Sequence, residues 1–196
     1  MLSEKEKYYT IDALERLKCY IQFNYTAPNP EHYGIIDTII KKINNESKEL
    51  VIPIGPAGCG KSTYRMKNYS KYTLICPDLI RFKILDSENT KIYFDYEFES
   101  QVWKQVYILF DEAIKCGYNI YFDATNLTQK RRYPLVCRAL RKGYKIHMIY
   151  FNIPLEVALE RNTKRERKVP DEVIKEQFEK LEPPQLWEYD KLTIIY

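Results

Sequence analysis

The chain has 196 residues, 45% hydrophobic and 30% charged, with a net charge of +4. That length suits one domain with or without an appendage, and the composition excludes intrinsic disorder. So mild a charge does not by itself announce a nucleic-acid binder. Five dispersed cysteines (Cys19, Cys59, Cys76, Cys116, Cys137) form no CxxC pair, and only His32 and His147 could join them, so a zinc site has no ligand spacing to build on. An odd count of scattered thiols fits a reducing compartment. The charged start, Met1 to Lys7, leads into no apolar segment, and no run approaches the ~20 apolar residues of a membrane span. The expected protein is soluble, intracellular and cytoplasmic, with no membrane partner.

Residues 1–49 read as a helical extension. Thr10 can cap a helix with Ile11, Leu14, Leu17 and Ile21 at helical spacing, and Pro28-Asn29-Pro30 breaks it. A second amphipathic set follows in Ile36, Ile39, Ile40 and Ile43. From Leu50 the pattern changes to short apolar runs between longer helical segments. Leu50–Ile54, Tyr72–Cys76, Tyr118–Phe122, Lys145–Phe151 and Leu192–Ile195 are expected strands. The segments near 61–70, 78–86, 98–116, 128–142, 154–165 and 170–181 are expected helices. Strands this apolar, alternating with helices, predict a five-stranded parallel sheet covered on both faces, an α/β three-layer domain over 50–196. The helix over 98–116 carries two apolar stripes: Phe98, Val102, Val106, Leu109 and Ala113, then Trp103, Tyr107, Phe110 and Ile114. It needs cover beyond the sheet, which the N-terminal helices are expected to supply.

Gly55-Pro56-Ala57-Gly58-Cys59-Gly60-Lys61-Ser62-Thr63 follows the first strand and opens a helix. This is GxxxxGKS in full, in the strand–helix setting that makes it a phosphate loop. Its glycines turn backbone N–H groups onto a phosphate at the positive end of the helix dipole. Lys61 reaches the β- and γ-phosphates, and the Ser62 hydroxyl can ligate Mg²⁺. The expected cofactors are ATP or GTP with Mg²⁺. Such a loop does not say what becomes of the γ-phosphate.

The second strand ends in Asp78-Leu79-Ile80-Arg81, at the sheet edge where α/β folds bind ligands. Asp78 could take the proton of an incoming hydroxyl or simply cap a helix. Arg81, three residues on, could hold an anion on the acceptor. The third strand ends in Asp123-Ala124-Thr125-Asn126, with Gln129-Lys130-Arg131-Arg132 beyond, and Asp123 is placed to anchor Mg²⁺. Arg161-Asn162-Thr163-Lys164-Arg165-Glu166-Arg167-Lys168-Val169-Pro170 reads either as a solvated charge run at a helix C-terminus or, beside a phosphate loop, as a basic lid over the triphosphate. Lys130-Arg131-Arg132 and 161–168 could track a nucleic-acid backbone.

Taken in order, the P-loop, D-x-x-R, D-A-T-N, R-x-x-x-R with V-P, and L-E-P-P…E-Y-D resemble the P-loop kinase family that contains the phage and bacterial polynucleotide 5′-kinases and the zeta-toxin-like kinases. The resemblance runs from about Leu50 to Tyr196. It implies Asp78 as general base for a 5′-hydroxyl and Arg81 on the phosphate 3′ to the accepting nucleoside. It implies Arg165 as the lid arginine on the donor phosphates with Arg161 beside it, Val169 and Pro170 against the terminal base, and Thr125 and Asn126 in the acceptor pocket. The phage enzyme has S-D-T-N where this chain has the bacterial form. No D-x-D-G-T phosphatase or K-x-D-G ligase signature is present, so either end healing would take separate partners or the acceptor is not a repair end at all.

These readings combine into an ATP-dependent kinase with Lys61, Asp78 and Arg165 at its centre, most simply one acting on the 5′-hydroxyl of RNA or DNA. A kinase of a small molecule, nucleotide or modified base is the alternative, and a non-kinase NTP-driven switch would not need Asp78 with Arg81. Oligomeric state is left open.

Overall fold

A computed structural model describes residues 3–24, 36, 48–88, 96–165 and 168–196. Its elements are α1 (Glu4–Asn24), β1 (Glu49–Ile54), α2 (Lys61–Asn68), β2 (Thr73–Ile75), α3 (Pro77–Glu88), α4 (Tyr96–Cys116), β3 (Ile120–Phe122), α5 (Gln129–Leu140), β4 (Lys145–Phe151), α6 (Leu155–Thr163), α7 (Asp171–Glu179) and β5 (Lys191–Ile195). A single 3₁₀ turn, Leu186–Glu188, precedes the last strand. Every expected strand and helix of the 50–196 region is present: β2, β3, α2, α5, α6 and α7 are shorter by a residue or two at their ends, β1, α3, α4 and β5 are longer by as much, and β4 keeps its bounds.

The sheet has the order β2-β3-β1-β4-β5 with all pairings parallel. Alternation along β1 divides the core. Leu50, Ile52 and Ile54 join Val102, Val106 and Phe110 of α4 and Leu135, Val136 and Ala139 of α5 on one face. Val51 joins Tyr121, Ile149 and Phe151, with Cys59, Ala158 of α6 and Ile174 of α7, on the other. Two buried faces and two helical layers make the three-layer α/β domain that the near-continuous apolar strands require.

Register explains one break in the ladder. β1 pairs with β3 only at Leu50 and Val51, whereas its pairing with β4 runs on to Ile54. Pro53 has no N–H to extend the β3 side. The Asn126 amide instead donates to the Pro53 carbonyl at 2.8 Å, and to the Phe122 and Ala124 carbonyls at 3.2 Å. Because β1 and β3 part here, the loops after both strands open into one crevice at the carboxyl edge of the sheet, where ligands of such folds bind.

The expected second N-terminal helix and the Pro28–Pro30 break lie outside the described residues, apart from Ile36, which is buried. The cover they were expected to give α4 therefore lies outside them too. The second α4 stripe has other partners: Phe110 and Ile114 are buried in the core, and Trp103 and Tyr107 meet arginines of α5.

Candidate active site

The phosphate loop joins β1 to α2. Gly58 has φ +83° and Gly60 φ +101°, left-handed values that glycine adopts without strain. A Cβ on Gly58 would also lie 2.5 Å from the Ala158 carbonyl oxygen, so α6 packs directly onto the loop. The Ala57 N–H donates to the Gln177 side chain of α7 at 2.7 Å, and Arg161 donates to the Cys59 carbonyl at 3.2 Å. The loop is thus held from two helices of the far layer. Lys61 Nζ donates to the Gly55 and Pro56 carbonyls at 2.8 and 2.6 Å, which keeps its ammonium across the loop. Cys59 is buried beneath the loop, so its thiol is a packing group and a poor target for alkylation.

At the edge of the loop, Ser62 Oγ donates to Asp123 Oδ2 at 3.2 Å. Burial raises the Asp123 pKa, against the Lys61 ammonium and the Ser62 hydrogen bond, which lower it. A carboxylate that the fold holds in a site that disfavours its charge is usually held there for chemistry. A hydroxyl and a carboxylate oxygen beside a phosphate cradle form a hard-oxygen donor set that fits Mg²⁺, an ion bound through few protein ligands plus the phosphates themselves.

Across the crevice, Pro77 opens α3 and places Asp78 in its first turn, with Arg81 one turn on. Arg81 Nη1 donates to Asp78 Oδ1 at 2.7 Å. Its other edge is forked by Glu99 of α4, with Nε to Oε1 at 2.7 Å and Nη2 to Oε2 at 2.8 Å. Hydrogen bonding to Glu99 raises the Arg81 pKa further, and the same contact lowers that of Glu99. Asp78 stays largely exposed to the crevice while Arg81 is mostly buried. The arginine is therefore locked in orientation by Glu99, a residue that the sequence reading did not single out because nothing in its spacing marks it.

The basic segment expected to be a lid is fastened at its start. Asn162, 2% exposed, donates to the Val169 carbonyl at 2.7 Å and accepts from the Val169 N–H at 3.0 Å. Arg161 and Arg165 flank this latch at the end of α6, Glu166 and Arg167 lie outside the described residues, and Val169 and Pro170 lead into α7.

All these parts border one cavity of about 1120 Å³. Gly58, Gly60, Lys61, Ser62, Thr63, Asp123, Arg161 and Arg165 line it on the phosphate-loop side, and Asp78, Arg81, Thr125, Val169 and Pro170 also border it. Asn126 reaches the wall as well, but its amide is committed to three backbone carbonyls and its φ is +49°. Its geometry is that of a latch between β1 and the loop after β3.

Arg132 departs from the expected backbone-tracking cluster. It is fully buried in a fork with Glu188, at 2.6 and 3.0 Å. It also donates to the carbonyls of Asn126, Leu127, Glu182 and Pro183. An unpaired guanidinium could not be buried so deeply, and the tail motif L-E-P-P…E-Y-D supplies the partner. Glu182 Oε2 accepts from the Gln129 N–H, and Asp190 Oδ2 from the Ile146 N–H, so the tail fastens α5 and β4.

The crevice, the loop and the facing acidic turn define a P-loop nucleotide-binding domain of the kinase type. Residues 50–184 match the family described as an AAA domain (AAA_33), and the chain belongs to this P-loop kinase family. It is 33% identical over 186 residues to a protein of Autographa californica nuclear polyhedrosis virus named as a bifunctional polynucleotide kinase/RNA ligase; the match covers 82% of this chain and 27% of that protein. It is 29% identical over 158 residues to the L-seryl-tRNA(Sec) kinase of Methanococcus maripaludis, covering 74% of this chain and 58% of that one. The chain thus spans about a quarter and somewhat over half the length of these two relatives. Among solved structures, a chain of the Pnkp1/Rnl/Hen1 RNA repair complex superposes with a TM-score of 0.60 over 70% of this chain and 46% of its own, at 20% identity, which is a shared fold.

Proposed function

We propose that the chain is an ATP-dependent polynucleotide kinase that transfers the γ-phosphate to the 5′-hydroxyl of a nucleic-acid strand. The observation that carries this reading is the opposition, within one cavity, of a phosphate loop and an exposed carboxylate whose neighbouring arginine is clamped from behind. A hydrolase or switch has no use for that second limb. The viral relative's name supports a polynucleotide acceptor, and the archaeal relative's name supports a hydroxyl carried on RNA.

In this reading Asp78 accepts the proton of the 5′-hydroxyl as its oxygen bonds to the γ-phosphorus and the bond to the β-phosphate bridging oxygen breaks, leaving ADP. Arg81 holds the phosphate on the 3′ side of the accepting nucleoside, and Glu99 fixes its aim. Lys61, Arg161 and Arg165 balance the charge on the transferring group and the leaving ADP. Ser62 and Asp123 would hold Mg²⁺, which when bound would supply neutralisation of the negative charge on the phosphates. Thr125, Val169 and Pro170 border the accepting nucleoside, and Asn126 positions the loop that carries Thr125. Separate phosphatase or ligase partners belong to this proposal, as does a nucleic-acid end as acceptor.

Turnover tests the division of labour. Addition of a 5′-hydroxyl oligonucleotide should stimulate release of ADP from ATP. Lys61→Ala should abolish that release with any acceptor, whereas Asp78→Ala should remove the stimulation and leave ATP affinity within about twofold. ADP release unaffected by oligonucleotides, but raised by a small hydroxylated metabolite, would reassign the acceptor.

A further inference from the structure

The cavity does not end at Arg81. It continues along α4, and its wall there is aromatic. Glu99, Trp103 and Tyr107 recur at intervals of four residues, so they form one row along the helix, and all three border the cavity. Glu99 forks Arg81, and a hydrogen bond from Trp103 helps to lower its pKa. The Trp103 and Tyr107 ring centres are 6.1 Å apart. From α5, the Arg131 guanidinium lies over the Trp103 ring at 5.2 Å and that of Arg138 over the Tyr107 ring at 4.5 Å. Arg138 is also tied to Asp111 at 3.3 Å, and Arg131 is exposed and borders the cavity.

Cation–π packing between α4 and α5 would account for either pair alone. It does not account for their place. The core-facing positions of α4 are Val102, Val106, Phe110, Ala113 and Ile114, all buried, whereas Trp103 and Tyr107, packed against that core, are only partly covered and stand in the wall of the crevice. Rings with accessible surface, flanked by arginines and starting beside the residue assigned to the first phosphate, are the parts from which single-strand binding surfaces are built.

We propose that this row is a track for a single strand: the nucleotides after the accepting one stack against Trp103 and Tyr107, and Arg131 meets a phosphate between them. The inference rests on the kinase reading above and narrows its acceptor. The eight helical rises from Glu99 to Tyr107 span about 12 Å, room for about three nucleotides at a stacking distance of ~3.4 Å. The favoured substrate is therefore a single-stranded 5′-hydroxyl end at least three to four nucleotides long, read without base preference because every base offers a π face. A blunt duplex end, whose bases already stack on one another, is a poorer substrate.

The test uses a Trp187→Phe protein. Trp187 lies outside the cavity, against Tyr133, and its removal leaves Trp103 as the only indole of the two in the chain. RNA and DNA acceptors of one to six nucleotides, each with a 5′-hydroxyl and the shortest a nucleoside 3′-phosphate, are assayed for transfer and for quenching of indole emission. The expected kcat/KM climbs with length to about three or four nucleotides and then levels off, and saturable quenching appears over the same lengths. Trp103→Ala and Tyr107→Ala should each cost roughly tenfold on the hexamer, through KM, since one base stack is worth about that factor. Trp103→Phe should recover most of the loss. Transfer that is independent of length, as efficient on a blunt duplex, or unaccompanied by quenching would overturn the track and leave the kinase reading standing. Absence of transfer to any nucleic acid would overturn both.

Discussion

Asp78 and Arg132 show what a single residue's type reveals and what it hides. Asp78 stands at a strand end in an apolar-run pattern, and the structure puts it in the crevice with its carboxylate exposed. Arg132 sits in a basic run that reads as a surface able to track a nucleic-acid backbone, yet it is fully buried. Its partner Glu188 is 56 residues away, so only tertiary structure joins them. Asn126 is a third case: the chemistry of an amide is visible in sequence, but its work on the Pro53 carbonyl depends on a strand register. At this scale Glu99 is the sharpest prediction. Glu99→Gln keeps size but weakens the fork on Arg81, so kcat/KM for an oligonucleotide should fall about tenfold or more, with ATP affinity unchanged. Steady-state kinetics in both substrates checks this; a change confined to the ATP parameters would contradict the assigned role.

Two elements carry predictions of stability. The tail motif is the brace of α5, because Glu188 neutralises a guanidinium that is wholly out of water. Glu188→Ala should destabilise the fold by about 3–5 kcal/mol, as removal of one partner of a buried pair does, and chemical denaturation measures it. The double replacement Arg132→Met with Glu188→Met should not restore full stability, since the Asn126 and Glu182 carbonyls lose the guanidinium, while those of Leu127 and Pro183 keep a second donor. On the opposite face of the sheet, Tyr72 donates to Glu49 at 2.6 Å, and His147 faces the same carboxylate at 3.6 Å while bonded to Tyr69 and Thr193. The His147 contact, foremost, and then Tyr72 lower the Glu49 pKa against the burial that raises it. A depressed carboxylate pKa adds stability that is present above the unfolded value and lost as pH falls through the folded one. Glu49→Gln should therefore lower Tm at pH 7 by about 2–8 °C, and the gap should close as pH falls below ~4. A gap of constant size would mean that the carboxylate charge contributes nothing there.

The elements themselves were readable to different depths. The phosphate loop was legible because its residue types and spacing answer to one ligand, wherever the rest of the chain goes. The five strands were legible because both faces of a parallel sheet are dry and the sequence must be apolar throughout. The two stripes of α4 were legible as a pattern but not in their partners. Trp103 and Tyr107 read as part of a hidden apolar face, whereas the structure sets them against Arg131 and Arg138 at the cavity wall. Aromatic rings suit both settings, and only the packing of α5 distinguishes them. Asn162, inside the basic lid sequence, is likewise a buried latch rather than a solvated residue.

For the molecule as a whole, parallel order β2-β3-β1-β4-β5 brings the loops after β1, β2 and β3 to one edge, with α6 and the basic segment after it beyond them. Donor and acceptor limbs that are far apart in sequence share a cavity for that reason, and no helix among the described residues is long and apolar enough to cross a membrane. The family match begins at residue 50, where the apolar-strand pattern also starts. The 1–49 extension is proposed as a separate appendage on this kinase domain.

The most direct measurement is transfer of labelled γ-phosphate from ATP, in the presence of Mg²⁺, to matched RNA and DNA hexamers that differ only in carrying a 5′-hydroxyl or a 5′-phosphate. The account predicts label on the 5′-hydroxyl strands alone, removable by a phosphatase and absent with Asp78→Ala protein. Label on neither strand, from protein shown to bind ATP, would contradict it and turn the acceptor limb toward a small molecule.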